Sequence, residues 1–329
     1  MQSLAVLMPV YNDWVSLEEM LRRIDVVAAE VEEPLSVLIV NDGSISEPPA
    51  ISLNDFSCIR HVRYVHLVTN QGHQRAIAVG LVVLAQEDHD AVIVMDSDGE
   101  DRPEDIPFLL EEHQRHPDCV IVAQRAARSE GSIFRAFYLL YKFLFWLLTG
   151  ASIRFGNFCL IPRPFLITIV YRPDLWNHLA ATIRRSNIPL IEVPTPRGKR
   201  IAGRSTMNFT ALVLHGLSGI SVYLDLVAIR ILLFSVITAV LAGLGIVVAV
   251  LVRYLTPLAI PGWATTVVGL LTIIILQAIL FSVAVLFTML NARSRQQIIP
   301  AVNAPQFIRS IEVAATQLAN TLNPTEPGM

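Results

Sequence analysis

The run MDSDGEDRPED places Asp96, Asp98, Glu100 and Asp101 within six residues. Carboxylates at that density repel one another unless a cation or solvent neutralises them. Hard oxygen donors of this kind suit Mg²⁺ or Mn²⁺, which share their remaining coordination sites with waters and phosphate oxygens. A solvated acidic turn that caps the next helix, through Asp101 and Glu104, is the other reading of the same residues. Asp42, in LIVNDGS, can accept a hydrogen bond from a ribose or nucleobase, or serve as an ordinary turn aspartate before Gly43. Two basic clusters complete the polar inventory. VAQRAARSEGSIFR carries Arg125, Arg128 and Arg135, and TPRGKRIAGRSTMN carries Arg197, Arg200 and Arg204. The planar guanidinium fork fits phosphate oxygens, and cations near a membrane are also drawn to anionic headgroups.

These residues need a scaffold. Leu4–Val10, Leu35–Asn41, His61–Leu67, Ala91–Met95 and Val120–Ala123 are short aliphatic runs that read as strands. Helical patterns at 15–31, 71–86 and 104–115 lie between most of them. Alternation of this kind, with nearly continuous apolar strands, predicts an α/β domain with a mainly parallel sheet. Ligands bind such sheets beyond the carboxyl ends of the strands, and three of these strands end in polar clusters: PVYND, NDGS and MDSDGED. No GxGxxG follows the first strand and no GxxxxGK[ST] occurs, which argues against the usual dinucleotide and P-loop sites.

The chain has 329 residues, 53% of them hydrophobic and 16% charged. The charge deficit is local, since residues 223 to 292 hold only Asp225, Arg230 and Arg253 as charged side chains. Ile231–Val252 is an uncharged run, and a helix drawn at 227–252 is long enough for a hydrocarbon core of about 30 Å. A second helix is expected at 263–290, after Pro257, Pro261 and Gly262. Arg184, Arg185, Arg197, Lys199, Arg200 and Arg204 precede the pair and Arg293 and Arg295 follow it, so positive-inside logic predicts a hairpin with both ends cytoplasmic. The apolar, aromatic segment at 133–149 carries Arg135 and Lys142 seven residues apart and reads as an in-plane interfacial helix, with a buried core helix as the alternative. A net charge of −3 excludes a strongly basic nucleic-acid binder. The three cysteines, Cys58, Cys119 and Cys159, form no CxxC pair, and no signal-peptide pattern is visible at the N-terminus. The expected division is 1–215 for the α/β domain, 216–292 for the membrane part and 293–329 for a cytoplasmic tail, with a short helix near 306–318 and a disordered NPTEPGM end.

Taken in order, MPVYND, IVNDGS, NQGHQRAIAVGL and MDSDGED resemble the family 2 glycosyltransferases with the GT-A fold. Together with the hairpin they are most similar to the membrane-bound polyprenyl-phosphate glycosyltransferases, the group of dolichyl-phosphate mannose synthases and bacterial undecaprenyl-phosphate sugar transferases. The resemblance implies a nucleotide-sugar-binding GT-A domain in which Pro9, Tyr11, Asp13, Asp42 and Asp96 hold the donor nucleotide. Asp96 and Asp98 match the DXD motif that grips a divalent metal, Mg²⁺ or Mn²⁺, and Glu100 stands beside them as a third metal ligand where glutamine is commoner. Asn70 and Gly72 match the NxG turn. Arg200-x-x-Gly203-x-Ser205 resembles the RxxGxSK loop, with Thr206 where lysine is usual. RFGNFCLIPR resembles the acceptor-side GDFRL segment, with Asn157 in place of aspartate. By this resemblance Arg125, Arg135, Asn157, Arg200 and Ser205 hold the acceptor phosphate, and Asp98, Arg125 and Arg200 are the catalytic group.

The activity so implied is inverting transfer of one sugar from a nucleotide sugar, UDP-linked ahead of GDP-linked, to polyprenyl (undecaprenyl) phosphate at the cytoplasmic membrane face. Asparagine cannot act as a general base, but a phosphate monoester has a second pKa of about 6 and attacks without one. A processive polysaccharide synthase is a rival, although no QxxRW occurs. A non-catalytic nucleotide-sugar-binding membrane protein is another, given Glu100, Asn157 and Thr206. Oligomeric state, including a homo-oligomer, is open.

Overall fold

The computed structural model describes residues 3–31, 35–51, 56–125, 132–152, 155–202, 209–256, 262–294 and 297–316. They form two compact units. The first holds residues 1–130, 153–213 and 298–329, and the second holds 131–152 and 214–297.

The first unit is built on one eight-stranded sheet. Its strands are β1 (Leu4–Val10), β2 (Leu35–Asn41), β3 (Ile59–Leu67), β4 (Ala91–Val94), β5 (Val120–Arg125), β6 (Cys159–Pro162), β7 (Leu190–Thr195) and β8 (Ile308–Thr316), in the order β7-β5-β6-β4-β1-β2-β3-β8. β4, β1, β2 and β3 run parallel, as do β5 and β7. β6 is antiparallel to both of its neighbours and β8 to β3. The mainly parallel α/β sheet expected from the aliphatic runs is therefore present.

Period-two alternation divides the core. Leu4, Val6, Met8 and Val10 of β1 pack with α1 (Trp14–Glu30) and α3 (Ile106–Arg115) on one face. Ala5 and Leu7 pack with α2 (His73–Ala85), α5 (Arg163–Val170) and α6 (Leu179–Arg185) on the other. Side chains of a strand point alternately to opposite faces, so both sides of β1 must be apolar. α2 lies close on the sheet because Gly80 has no side chain: a Cβ there would run into Leu7 and Val40.

The tail departs from expectation. In place of a helix near 306–318, Ile308–Thr316 forms β8 along the open edge of β3. Ile308, Ile311, Val313 and Thr316 are β-branched residues that favour a strand, and β3 supplies the ladder that a local pattern cannot reveal. The NPTEPGM end lies outside the described residues.

The second unit contains α4 (Ser132–Thr149), most of α7 (Phe209–Ser221), α8 (Leu224–Leu255) and α9 (Trp263–Ser294). α8 and α9 have 32 residues each and are long and apolar enough to cross a membrane. Their outward side chains, among them Phe234, Leu244, Phe281 and Phe287, are exposed in the isolated chain. α4 coincides with the expected helix at 133–149. Leu139, Phe143, Trp146 and Leu147 are exposed on it, while Phe145 packs edge-on against Tyr223 with ring centroids 5.9 Å apart. Arg230 of α8 caps its end, donating to the carbonyls of Trp146 and Leu147 at 3.2 and 2.6 Å.

Candidate active site

β1 lies between β2 and β4, and the chain continues to one side through β2 and β3 and returns on the other with β4. Loops diverge at such a switch point and leave a crevice beyond the carboxyl ends of the strands. The loop after β1 brings Tyr11 and Asp13 there, the loop after β2 brings Asp42, and the loop after β4 brings Asp96, Asp98 and Glu100.

The loops after β1 and β2 brace each other. Asn12, with a left-handed φ of 54°, accepts from the Ile45 N–H at 2.8 Å, and its own N–H donates to Ser44 Oγ at 2.9 Å. Pro9 contributes its carbonyl, which accepts from Ser97 Oγ at 3.0 Å and so ties β1 to the acidic turn. Tyr11 is 49% exposed beyond the strand end. Asp42 is only 3% exposed, and its two carboxylate oxygens accept from the N–H groups of Gln71 and Gly72 at 2.6 and 3.0 Å. Asn70 Nδ2 donates to the Asp42 carbonyl at 3.0 Å. Burial raises the Asp42 pKa despite those two N–H donors. These contacts tie Asp42 to the NQG turn. Gly43 permits that contact, since at φ 68° a Cβ would collide with the backbone of Asn70.

The acidic turn is ordered from within. Asp96 N–H donates to buried Asp101 at 2.8 Å, and Glu100 N–H donates to Asp98 Oδ1 at 2.9 Å. Gly99 turns the chain at φ 88°. The segment after β7 lies over it: Gly198 N–H donates to the Glu100 carbonyl at 3.0 Å and Ile201 N–H to the Asp98 carbonyl at 2.9 Å. This places Arg200 between two loops, donating to Asp98 Oδ2 and to Asp13 Oδ2 at 3.1 Å each. Burial and the neighbouring Asp96 raise the Asp98 pKa, and Arg200 partly offsets them.

Asp96 and Asp98 offer hard oxygens from one turn and fit a divalent cation in donor type. Glu100 does not join them in this arrangement. Its carboxylate is ion-paired with Arg197, as that of Asp98 is with Arg200. Among the described residues no three His, Cys, Asp or Glu side chains converge as a ready metal centre.

Two residues that sequence reasoning passed over stand beside this turn. His73 Nε2 lies 3.1 Å from Asp96 Oδ1 and 2.9 Å from Asn157 Nδ2. Burial opposes a charged ring there, while the carboxylates of Asp96, Asp101 and Asp98 favour it and win, so its pKa is raised. Nε2 thus lies between an acceptor, Asp96 Oδ1, and the Asn157 NH₂ group, donating to the first when protonated and accepting from the second when not. Gln74 in turn donates to Asn157 Oδ1 at 3.0 Å. The signal was present: HQ directly follows the NQG turn, at the start of a helix beside the strand ends. Asn157, expected on the acceptor side, is linked to the acidic turn through His73. The side chains of Arg125 and Arg135, and Ser205 as a whole, lie outside the described residues, as does Gly203 of the RxxGxS pattern.

The chain is 33% identical over 136 residues to the undecaprenyl-phosphate 4-deoxy-4-formamido-L-arabinose transferase of Klebsiella pneumoniae (strain 342), covering 41% of this chain and 40% of that one. It thus spans about two fifths of that relative's length. The enzyme of the same name from Proteus mirabilis (strain HI4320) is 29% identical over 257 residues, 75% of this chain and 74% of that one. Among solved structures, glucosyl-3-phosphoglycerate synthase from Mycobacterium tuberculosis, in complex with Mn²⁺, UDP-glucose and phosphoglyceric acid, aligns with a TM-score of 0.48. The identity is 14%, over 69% of this chain and 80% of that one. Residues 5–169, half of the chain, match the sequence profile described as Glycosyl transferase family 2, and the chain belongs to that family.

Proposed function

We propose that this protein is an inverting glycosyltransferase that moves one sugar from a nucleotide sugar to a polyprenyl phosphate at the cytoplasmic face of a membrane. The observation that carries this reading is the meeting of Asp13, Asp98 and Arg200 at the switch point, in a chain that also has two helices long enough to span a bilayer. Pro9, Tyr11, Asp13, Asp42 and Asp96 hold the donor nucleotide, UDP-linked ahead of GDP-linked. Asp96 and Asp98 hold Mg²⁺ or Mn²⁺, which when bound stabilises charge on the leaving diphosphate. Arg200, with Arg125 and Arg135, steers the acceptor phosphate and reduces its repulsion from the donor, and Ser205 and Asn157 contact it. α8 and α9 form a transmembrane hairpin with both ends cytoplasmic, because the cations gather at its outer ends, and α4 lies in the membrane interface.

The test is a panel of radiolabelled nucleotide sugars incubated with purified protein, undecaprenyl phosphate and either cation. Label entering the lipid from one donor, only with metal, supports the proposal. A second reading, nucleotide-sugar binding without transfer, is favoured by the pairing of Asp98 and Glu100 with arginines. It predicts donor binding with neither transfer nor metal-dependent donor hydrolysis.

A further inference from the structure

A chain of side-chain amides runs from α6 to the acidic turn, and its polarity is set at one end. Leu179 opens α6, so its backbone N–H has no partner inside the helix and can only donate. It donates to Gln74 Oε1 at 2.7 Å. The other half of that amide is then its NH₂ group, which donates to Asn157 Oδ1 at 3.0 Å. With its oxygen so engaged, Asn157 turns its own NH₂ on His73 Nε2 at 2.9 Å. A primary amide can exchange oxygen and nitrogen by a half-turn. Here a backbone group, which cannot turn round, makes the choice. Asn157 is 8% exposed and Leu179 fully buried, so water does not substitute freely for these partners.

We infer that Gln74 is a positioning residue that decides which end of the Asn157 amide faces the site, turning N–H donors and not a lone pair toward the side where the acceptor arrives. This rests on the reading above, in which the acceptor is an anionic phosphate. A phosphate oxygen is attracted by an N–H and repelled by a carbonyl or carboxylate oxygen. The chain therefore supplies polarity as well as packing. It also gives the asparagine at 157 a positive task, since an aspartate would accept from Gln74 equally well but could turn only an oxygen on His73.

Two substitutions reverse the polarity by different routes and keep the cap on Leu179. In Gln74→Glu one carboxylate oxygen still accepts from Leu179 and the other accepts from Asn157 Nδ2, turning Asn157 Oδ1 toward the site. In Asn157→Asp the cap is untouched and an oxygen faces His73 directly. Gln74→Leu removes both hydrogen bonds and leaves Asn157 free to turn. Arg75→Gln, one residue along and exposed, changes the net charge by the same amount outside the chain of amides.

Undecaprenyl phosphate is titrated into the full-length protein in nanodiscs, alongside thermal melts. The expected order is binding weakened about tenfold or more in Gln74→Glu and Asn157→Asp at near-native melting temperature, and by less than about threefold in Gln74→Leu despite a lower one. Arg75→Gln should bind as the unaltered chain does. Three results would overturn the inference: native-like binding by Gln74→Glu, Gln74→Leu as the weakest binder of the set, or an equal loss in Arg75→Gln. Failure of the unaltered chain to bind undecaprenyl phosphate would instead overturn the acceptor reading, and this inference with it.

Discussion

Arg200 donates to Asp98 Oδ2 at 3.1 Å across a gap of 102 residues in the chain, and its other terminal nitrogen reaches Asp13. One guanidinium therefore holds the carboxylate that a divalent cation would need. It belongs to the segment whose backbone also hydrogen-bonds the acidic turn, so a cation bound at Asp98 would be coupled to the position of Arg200.

That coupling predicts the effect of removing the guanidinium. Arg200→Gln should bind Mn²⁺ several-fold more tightly than the unaltered protein, because a competing cation has left Asp98. Titration followed by electron paramagnetic resonance reads this without any turnover. Weaker Mn²⁺ binding in the variant would show that Arg200 organises the carboxylates for the metal and does not compete with it.

Asp42 supports a turn through two charge-assisted hydrogen bonds from half-buried backbone. Asp42→Ala leaves the Gln71 and Gly72 N–H groups without their acceptor and should cost about 1–3 kcal/mol or more. Donor affinity should fall with it, because the turn braces the crevice. Denaturant unfolding and nucleotide binding, measured on the same preparation, check both effects.

α2 can approach the sheet only where Gly80 faces Leu7 and Val40. Gly80→Ala gains helix propensity of about 1 kcal/mol, yet overpacking of a tight core costs about 1–3 kcal/mol. Both partners are fully buried and have little room to yield, so the net effect should be a lower melting temperature. A rise would mean that α2 shifts without penalty.

The opposite end of the sheet carries a pH-sensitive cluster away from the site. Burial pushes the Glu87 pKa up, but hydrogen bonds from His89 and Arg63 outweigh it and bring it down to about 2. A carboxylate with a depressed folded-state pKa contributes stability that is complete above its unfolded value of about 4.5 and lost as pH falls toward the folded one. The contribution is at most on the order of 3 kcal/mol. Acid unfolding should therefore begin at higher pH in Glu87→Gln than in the unaltered chain, with a smaller slope between pH 4.5 and 2. Coincident acid curves would remove Glu87 from the account.

The parts legible in the sequence were those whose signal is local. Leu4–Val10 and Leu35–Asn41 are buried on both faces, so their aliphatic runs announce strands directly, and the polar clusters that follow them mark the crevice. The β8 segment reads locally as a helix because its partner β3 lies far back along the chain, and edge pairing leaves no periodic trace in nine residues. The site divides the same way. Asp96 and Asp98 declare themselves by density. The tasks of Gln74 and Glu100 depend on Asn157 and Arg197, which lie 83 and 97 residues further along, and only the folded sheet brings those pairs together. Asp42 is legible as a carboxylate at a strand end, but its engagement by two backbone amides is not.

The fate of one sugar is read by mass spectrometry of the lipid. Undecaprenyl phosphate is recovered after incubation with the purified protein, Mg²⁺ or Mn²⁺ and the donor selected from the panel, with Asp98→Ala run in parallel. The expected product is a lipid heavier by a single sugar residue, formed only by the unaltered protein and only with metal. Unmodified lipid from both proteins across every donor, with nucleotide still bound, would contradict it and leave a binding protein of the same fold.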